Sequence, residues 1–329
     1  MAEVEQRREQ LPMPDSVHDA WPQLDKQCLR ASFERAAETY DEVAVLQRTI
    51  ADRLLERLDV VKLKPTVILD TGCGTGYVTR ALARRYPRAQ RLALDIAESM
   101  VRHARHGFDW RRLVQRRSLH VCGDAEALPL AGASVDMIVS NLALQWCDAQ
   151  TAFAEFRRVL RPGGLAIFTT FGPDTLRELR SAWQTVDDRP HVHGFLDMHD
   201  LGDLLVRGGF AEPVMDVERF TLTYADVLGV LSDLKRLGAH NTAHGRARGL
   251  TGKHQFARFR AAYEAMTRDG RIPATYEAVY GLAWAPESVR APRAADGTVS
   301  VPVAELRQRD RGEGSGTGMF RWRLRRRPR

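Results

Sequence analysis

Cysteine is scarce and scattered. Cys28, Cys73, Cys122 and Cys147 stand far apart with no Cys-x-x-Cys pair, which argues against a zinc site or a disulfide framework and fits a reducing compartment. No apolar run approaches the roughly 18 residues that a membrane-crossing helix needs. The N-terminus is acidic and polar rather than basic and then apolar, so neither secretion nor membrane insertion is expected and the chain is expected in the cytoplasm. Between residues 26 and 285 there is no internal repeat and no low-complexity stretch.

The remaining composition is that of an ordinary soluble globular protein. With 329 residues, 44% hydrophobic and 28% charged, the chain can bury one large core or two modest ones. Its net charge of +7 points to nucleic acid only until the charge is located: residues 288–329 hold 11 arginines against 4 acids, so the preceding residues are balanced. That segment contains the Gly312-to-Gly318 run, ends in Arg325-Arg326-Arg327-Pro328-Arg329, and is too poor in apolar residues to pack. It reads as a basic disordered tail, a solvated extension with a nonspecific anionic partner as the alternative.

Residues 1–25, with Pro12, Pro14 and Pro22 among charges, read as a flexible leader. From Lys26 to Leu58 apolar residues recur at helical steps, with Leu46, Ile50, Leu54 and Leu58 on one face and a joint at Tyr40-Asp41. Short apolar runs at 66–70, 91–95, 118–122, 135–140 and 164–171 read as buried strands, and 77–86, 98–106 and 149–159 between them as helices. Val159-Leu160-Arg161-Pro162-Gly163-Gly164 reads as the turn that opens the fifth strand. Beyond it, 175–186 and 198–207 read as helices, 213–222 as a strand, 225–237 and 253–268 as helices, and 276–284 as a last strand. Such alternation predicts an α/β fold with a mostly parallel sheet and helices on both faces.

One stretch carries more chemistry than the rest. Val67-Ile68-Leu69-Asp70-Thr71-Gly72-Cys73-Gly74-Thr75-Gly76 is an apolar run ending in an acid and three alternate glycines. Glycines at these positions let the backbone turn sharply and let a ligand lie against it, and the N–H groups of the helix at 78–84 then face that ligand. A Gly-x-Gly by itself also suits an ordinary turn. In an open parallel sheet, however, ligands sit at the carboxyl ends of the strands, and each end here supplies a polar group. Asp95 follows the glycines by about 20 residues, where an acid can accept from ribose hydroxyls. Asp124 in Cys122-Gly123-Asp124-Ala125-Glu126 can receive an adenine amine while Ala125 offers its N–H, and Ser140-Asn141-Leu142-Ala143-Leu144-Gln145-Trp146 closes the fourth strand. Capping explains Asp95 or Asp124 singly, but not four such features in register.

These residues resemble the class I S-adenosylmethionine-dependent methyltransferases over about residues 66–171, with Gly-x-Gly-x-Gly in place of the Gly-x-Gly-x-x-Gly of nicotinamide enzymes. Asp124-Ala125-Glu126-Ala127-Leu128-Pro129-Leu130 and Leu160-Arg161-Pro162-Gly163-Gly164 match as well. The flanks are more specific. Ser32 to Asp41 with Leu46-Gln47, Phe171 to Leu179 with Trp183, Phe195 to Asp203, Pro213 to Asp216 and Leu234 to Asn241 resemble the malonyl-acyl-carrier-protein O-methyltransferases of biotin synthesis. That likeness covers about residues 26–285, with Thr71 standing where members often have leucine.

The resemblance implies a Rossmann-like, seven-stranded methyltransferase domain over 65–287, an N-terminal helical lid at 26–64 and a helical acceptor-site insertion at about 224–270. It implies S-adenosylmethionine as donor, S-adenosylhomocysteine as product, and no metal. The implied donor site is Asp70, Gly72, Gly74, Gly76, Asp95, Ile96, Met100, Asp124, Ala125, Asn141 and Gln47, with Tyr40 folding over it as a lid. The implied acceptor is the free carboxylate of malonyl on acyl-carrier protein, or malonyl-CoA, with no specific nucleic acid and no membrane as partner.

A carboxylate is already ionised at neutral pH, so no general base is needed. Its recognition calls for a cation, for which Arg35, Arg177 and Lys235-Arg236 are candidates, with Trp183 beside them. Arg111, Arg112, Arg116 and Arg117 could form a rim that steers an acidic carrier, or simply a solvated face. His191, His193 and His199 lie in or beside a loop without a completing cysteine or paired carboxylate and are set aside as a metal site.

Two other readings use the same residues: a methyltransferase of a small carboxylic acid or quinone precursor, and a noncatalytic module that binds the donor and reaches nucleic acid through the tail. Deleting residues 288–329 separates enzyme from module. Methyl transfer, followed by label incorporation, is expected to survive the deletion; loss of a salt-dependent nucleic-acid affinity as the main activity is the outcome the module predicts.

Overall fold

The computed structural model describes residues 24–106, 117–241 and 251–287. The leader through residue 23, the tail from Ser288, and Arg111, Arg112 and Arg116 of the expected rim lie outside these. Strands β1 (Val67–Thr71), β2 (Gln90–Asp95), β3 (Ser118–Cys122), β4 (Val135–Asn141) and β5 (Leu160–Phe171) run parallel. Strand β7 (Ile272–Trp284) pairs antiparallel with both β5 and the edge strand β6 (Ala211–Tyr224), and the order across the sheet is β3-β2-β1-β4-β5-β7-β6. The expected seven-stranded, mostly parallel α/β sheet is what forms. Because the order reverses between β1 and β4, their carboxyl ends splay apart and leave a crevice.

The helices are α1 (Lys26–Ala36), α2 (Tyr40–Val43), α3 (Val45–Glu56), α4 (Tyr77–Arg85), α5 (Glu98–His106), α6 (Ala149–Val159), α7 (Arg177–Gln184), α8 (Met198–Arg207), α9 (Val227–Arg236) and α10 (Lys253–Glu264). Asp25, Asp148, Asp197 and Asp226 accept backbone N–H groups at the starts of α1, α6, α8 and α9, satisfying donors that the first helical turn leaves over. Among the described residues no helix is long and apolar enough to cross a membrane.

Three differences from the sequence reading have physical causes. Of the segment expected as a helical lid, α3 packs into the core: its face formed by Leu46, Ile50 and Leu54, continued by Leu58, is buried in one cluster with Ile68, Val139 and Ile167. Strand β5 begins at Leu160, not Gly164: Leu160 pairs with Val135, and Pro162-Gly163-Gly164 forms a bulge inside the strand, with Gly163 at φ +74°. Strands β6 and β7 extend further than expected because they pair with each other almost from end to end.

At the amino ends of the central strands, Asp136 staples three segments. Its Oδ2 accepts from Thr66 N (2.7 Å), Thr66 Oγ1 (2.6 Å) and Val67 N (2.9 Å), and its Oδ1 from Arg161 Nη1 (2.7 Å). Burial alone raises this carboxyl, but the bonds from Thr66, Arg161 and Val67 outweigh it and hold it down at about 2. Since the folded value lies below the unfolded one, the stabilisation is complete above about pH 4 and is lost as pH falls toward 2. Asp136→Asn is expected to lower stability by about 2 kcal/mol at pH 7 and to flatten the acid limb of a denaturation-versus-pH series.

Candidate active site

The crevice is built on the glycine turn. Gly72 N and Cys73 N both donate to Leu94 O (2.8 and 2.9 Å), which folds the turn over the end of β2. Gly72, Gly74 and Gly76 all have positive φ (71°, 52° and 86°), but what surrounds them differs. A Cβ on Gly72 would sit 2.2 Å from Ala143 Cβ, and one on Gly76 would sit 2.9 Å from Ala104 Cβ, so both glycines permit close packing. A Cβ on Gly74 meets nothing within 4 Å. Of the three, only Gly74 borders space that no atom of the described residues fills.

Asp95 holds that turn in place. Its Oδ2 accepts from Gly74 N and its Oδ1 from Ala97 N, each at 2.9 Å. Burial pushes the Asp95 carboxyl up to about 6 against these bonds, with Glu34 adding to the rise. Asp70, one layer below, accepts from Thr79 Oγ1 and is pushed up to about 7, again chiefly by burial.

Helix α1 and the start of α2 close over the crevice through polar ties. Glu34 accepts from Glu98 N (2.6 Å) and Ser99 N (2.8 Å), capping α5, where a carboxylate also suits the helix dipole. Lys26 Nζ lies 3.0 Å from Asp124 and 2.7 Å from Glu126. Burial disfavours the Lys26 ammonium, yet Cys147, Glu126 and Asp124 more than restore it. Thr75 Oγ1 donates to Asp41 (2.7 Å).

On the far side, Asn141 is fixed by Thr169 Oγ1, which donates to its Oδ1 (2.8 Å), and by its own Nδ2 donating to Gln47 O (3.2 Å). Leu142 then takes φ +52°, a costly angle for a non-glycine residue, held by its N–H donating to both Thr169 O and Thr169 Oγ1. This bend carries Ala143 against Gly72 and leads into a 3₁₀ turn, Leu144–Trp146, whose Trp146 meets Phe33 of α1 edge-on at 5.5 Å.

The resulting cleft of about 620 Å³, partly open to solvent, is lined by Gly72, Gly74, Asp95, Ile96, Met100, Asp124, Ala125, Asn141 and Tyr40 of the expected residues. Lys26, Leu29, Phe33, Trp146 and Cys147 also line it. Burial raises the Tyr40 phenol far above its ordinary range, with Asp95 and Asp41 adding to it, so it stays neutral.

Three expected donor residues are not in the lining: Asp70 lies below the turn, Gly76 starts α4, and Gln47 reaches Asn141 only through its carbonyl while its buried Oε1 has no hydrogen-bond partner. None of the expected acceptor residues faces the cleft. Arg35 is exposed and donates to Ala31 O; Arg177 pairs with Asp174 and Glu178. Lys235 is exposed, and Arg236 pairs with Glu42. Trp183 is partly buried, stacked between His191 (3.8 Å) and Phe259 (4.1 Å) against the core. Arg117 donates to Arg88 O. His191 is bonded to Asp187, and among the described residues no group of three or more His, Cys, Asp or Glu could hold a metal ion. Lys26 and Phe33 were not anticipated; the apolar i, i+4 pair Leu29 and Phe33 on a helix otherwise rich in charge was the available signal.

Residues 69–168 match the family described as a methyltransferase domain. A malonyl-[acyl-carrier protein] O-methyltransferase of Gallionella capsiferriformans is 54% identical over 266 residues, 80% of this chain and 92% of that protein. Its namesake from a Methylovorus species is 52% identical over 271 residues, 80% and 90% of the two chains. Among solved structures, the YcgJ protein of Bacillus subtilis (15% identical, TM-score 0.52) and a Bacillus halodurans protein (17%, TM-score 0.51) share the fold, each covering 72% of this chain and 99% of its own.

Filling the free space is the direct test of the cleft. Gly74→Val is expected to weaken S-adenosylmethionine binding on the order of 10²-fold by calorimetry while the sheet stays folded, since a 1 Å misplacement at such a site can cost that much. Gly72→Val, which drives a side chain into Ala143, is expected to lower the melting temperature as well.

Proposed function

The chain belongs to the malonyl-[acyl-carrier protein] O-methyltransferase family, and from that membership we infer that it methylates the free carboxylate of malonyl carried on acyl-carrier protein, with S-adenosylmethionine as donor. The ester, its charge masked, is then a primer that fatty-acid elongation enzymes accept on the way to the pimeloyl chain of biotin. The observation that carries the donor assignment is the cleft beside Gly74: open space over a positive-φ glycine, with a buried carboxylate, Asp95, bonded to its N–H.

The residues present fit that donor. Asp95 uses one lone pair of each oxygen on the backbone and keeps another for ribose hydroxyls. Ala125 and Asp124 face the position where an adenine edge suits them, and Asn141, held rigid by Thr169 and Gln47, marks the opposite end. Leu29, Phe33 and Met100 supply apolar walls.

When bound, the donor supplies a methyl group on positively charged sulfur, which passes to a carboxylate oxygen as the carbon–sulfur electron pair returns to sulfur. The protein is left with positioning and the exclusion of water. Two opposite charges vanish in this displacement, so a lining that solvates separated charges poorly favours it. Phe33, Trp146 and a permanently neutral Tyr40 make such a lining. No proton moves, which matches an acceptor whose ordinary pKa is about 4.

Mass analysis of malonyl-loaded carrier protein incubated with enzyme and donor is expected to show one added methyl ester, with free malonate and other small acids methylated far more slowly; equal rates on free acids would favour the small-acid reading. Asp95 sets the pH response. Protonation with a pKa of about 6 removes its acceptor capacity toward ribose, so donor affinity is expected to hold above pH 7 and fall as pH drops through 6. Titrations in Asp95→Asn are expected to show weaker binding and no such fall.

A further inference from the structure

The acceptor carboxylate needs a cation, and the cations suggested by sequence point elsewhere. We infer that Arg180 binds the carboxylate of the acceptor, with the imidazole of His193 beside it as a second hydrogen-bonding group; the assignment rests on the carboxyl-methylation reading above.

Arg180 lies on α7, one turn beyond Arg177, and reaches back to the loop that follows β5, at the carboxyl edge of the sheet where the cleft opens. Its Nη1 donates to Pro173 O (2.9 Å) and its Nη2 to Thr175 O (3.1 Å). These two bonds fix the plane of the guanidinium and leave about three of its five N–H donors for a ligand. The acids around it are committed to other groups. Asp174 pairs with Arg219 (3.0 Å) and Arg177 (3.8 Å). Glu178 accepts from Thr275 N and Thr275 Oγ1, and Glu277 accepts from Asp174 N and Arg219. Asp174 acts on Arg180 only from beyond ion-pair distance, and burial lowers the Arg180 pKa. Among the described residues Arg180 is therefore a pinned, half-buried cation without an ion-pair partner. A partly desolvated guanidinium of this kind binds a carboxylate more strongly than an exposed one.

His193 connects this cation to the cleft. Its ring lies 4.9 Å from Trp146, which lines the cleft, and 4.6 Å from Phe195. Only 6% of the residue is exposed, and its Nε2 is buried with no hydrogen-bond partner among the described residues. An unpaired buried nitrogen is uncommon unless a ligand completes it. Burial pushes the imidazole down to about 4, with the charge of Arg180 adding to the shift, so it is neutral at physiological pH. Trp146 of the cleft wall thus contacts a neutral imidazole that lies within the field of a fixed cation, just outside the residues that line the cleft itself. A carboxylate reaching past Trp146 would meet first the imidazole and then the guanidinium.

The test is discrimination between an anion and its uncharged counterpart, which a merely structural arginine does not control. In the presence of S-adenosylhomocysteine, the wild-type protein is expected to bind malonyl-CoA on the order of 10²-fold more tightly than malonyl-CoA methyl ester by calorimetry. Arg180→Gln is expected to bind both alike and to raise KM for malonyl-loaded carrier by a similar factor, with S-adenosylhomocysteine affinity unchanged. Should Arg180→Gln fail to fold, Arg180→Lys serves: it keeps the charge but not the two-pronged geometry, and about tenfold loss of discrimination is expected. Undiminished discrimination in a folded variant overturns the assignment while leaving the functional reading intact. If the wild type does not methylate malonyl-loaded carrier at all, the functional reading falls and the assignment falls with it.

Discussion

The site depends on one buried carboxylate. Asp95 joins the glycine turn after β1 to the head of α5 by accepting Gly74 N and Ala97 N, and both bonds are short and well shielded from water. Remove it and two loops that approach from different strands lose their common anchor. The next two N–H groups of α5 are taken by Glu34 from α1, so the helix start that is bonded to Asp95 is bonded to α1 as well. A helix terminus has several unpaired donors, and here they are divided between the floor of the cleft and its cover.

The opposite wall is shaped by sterics. Gly72 has no room for a side chain because Ala143 lies against it, and Ala143 can lie there because Leu142 accepts a left-handed backbone angle that Thr169 stabilises from the neighbouring strand. The strain at Leu142 is thus coupled to the position of Asn141, its neighbour, and of Trp146, four residues on. The aromatic contact between Trp146 and Phe33 joins this turn to α1. Polar ties hold the side of the cleft at the glycine turn, whereas aromatic packing forms the side at Trp146.

Much of this was legible in the sequence, for reasons that can be stated residue by residue. Alternating apolar runs and helical spacings located the elements because parallel strands are buried on both faces and leave little ambiguity. Gly72, Gly74, Asp95, Asp124 and Asn141 could be placed at strand ends because chain order fixes which ends of a parallel sheet face the same way. The long-range partners were not legible. Nothing in the spacing of α1 says that Lys26 meets Asp124 and Glu126, or that Glu34 caps α5, since those pairs are separated by tens of residues. Surface arginines were equally opaque: Arg177 and Arg180 are alike in sequence, yet one is paired with Asp174 and Glu178 while the other is held by two carbonyls. Bulging of β5 at Pro162-Gly163-Gly164 was hidden because the same residues make a good turn.

The staple at Asp136 lies at the amino ends of β1 and β4, whereas the cleft lies at the carboxyl ends of the strands. The staple and the cleft therefore occupy opposite rims of one sheet. A protein engineered for heat tolerance by reinforcing the Thr66–Asp136–Arg161 rim leaves the cleft untouched, and a library that diversifies the cleft draws on a reserve of stability held on the far rim.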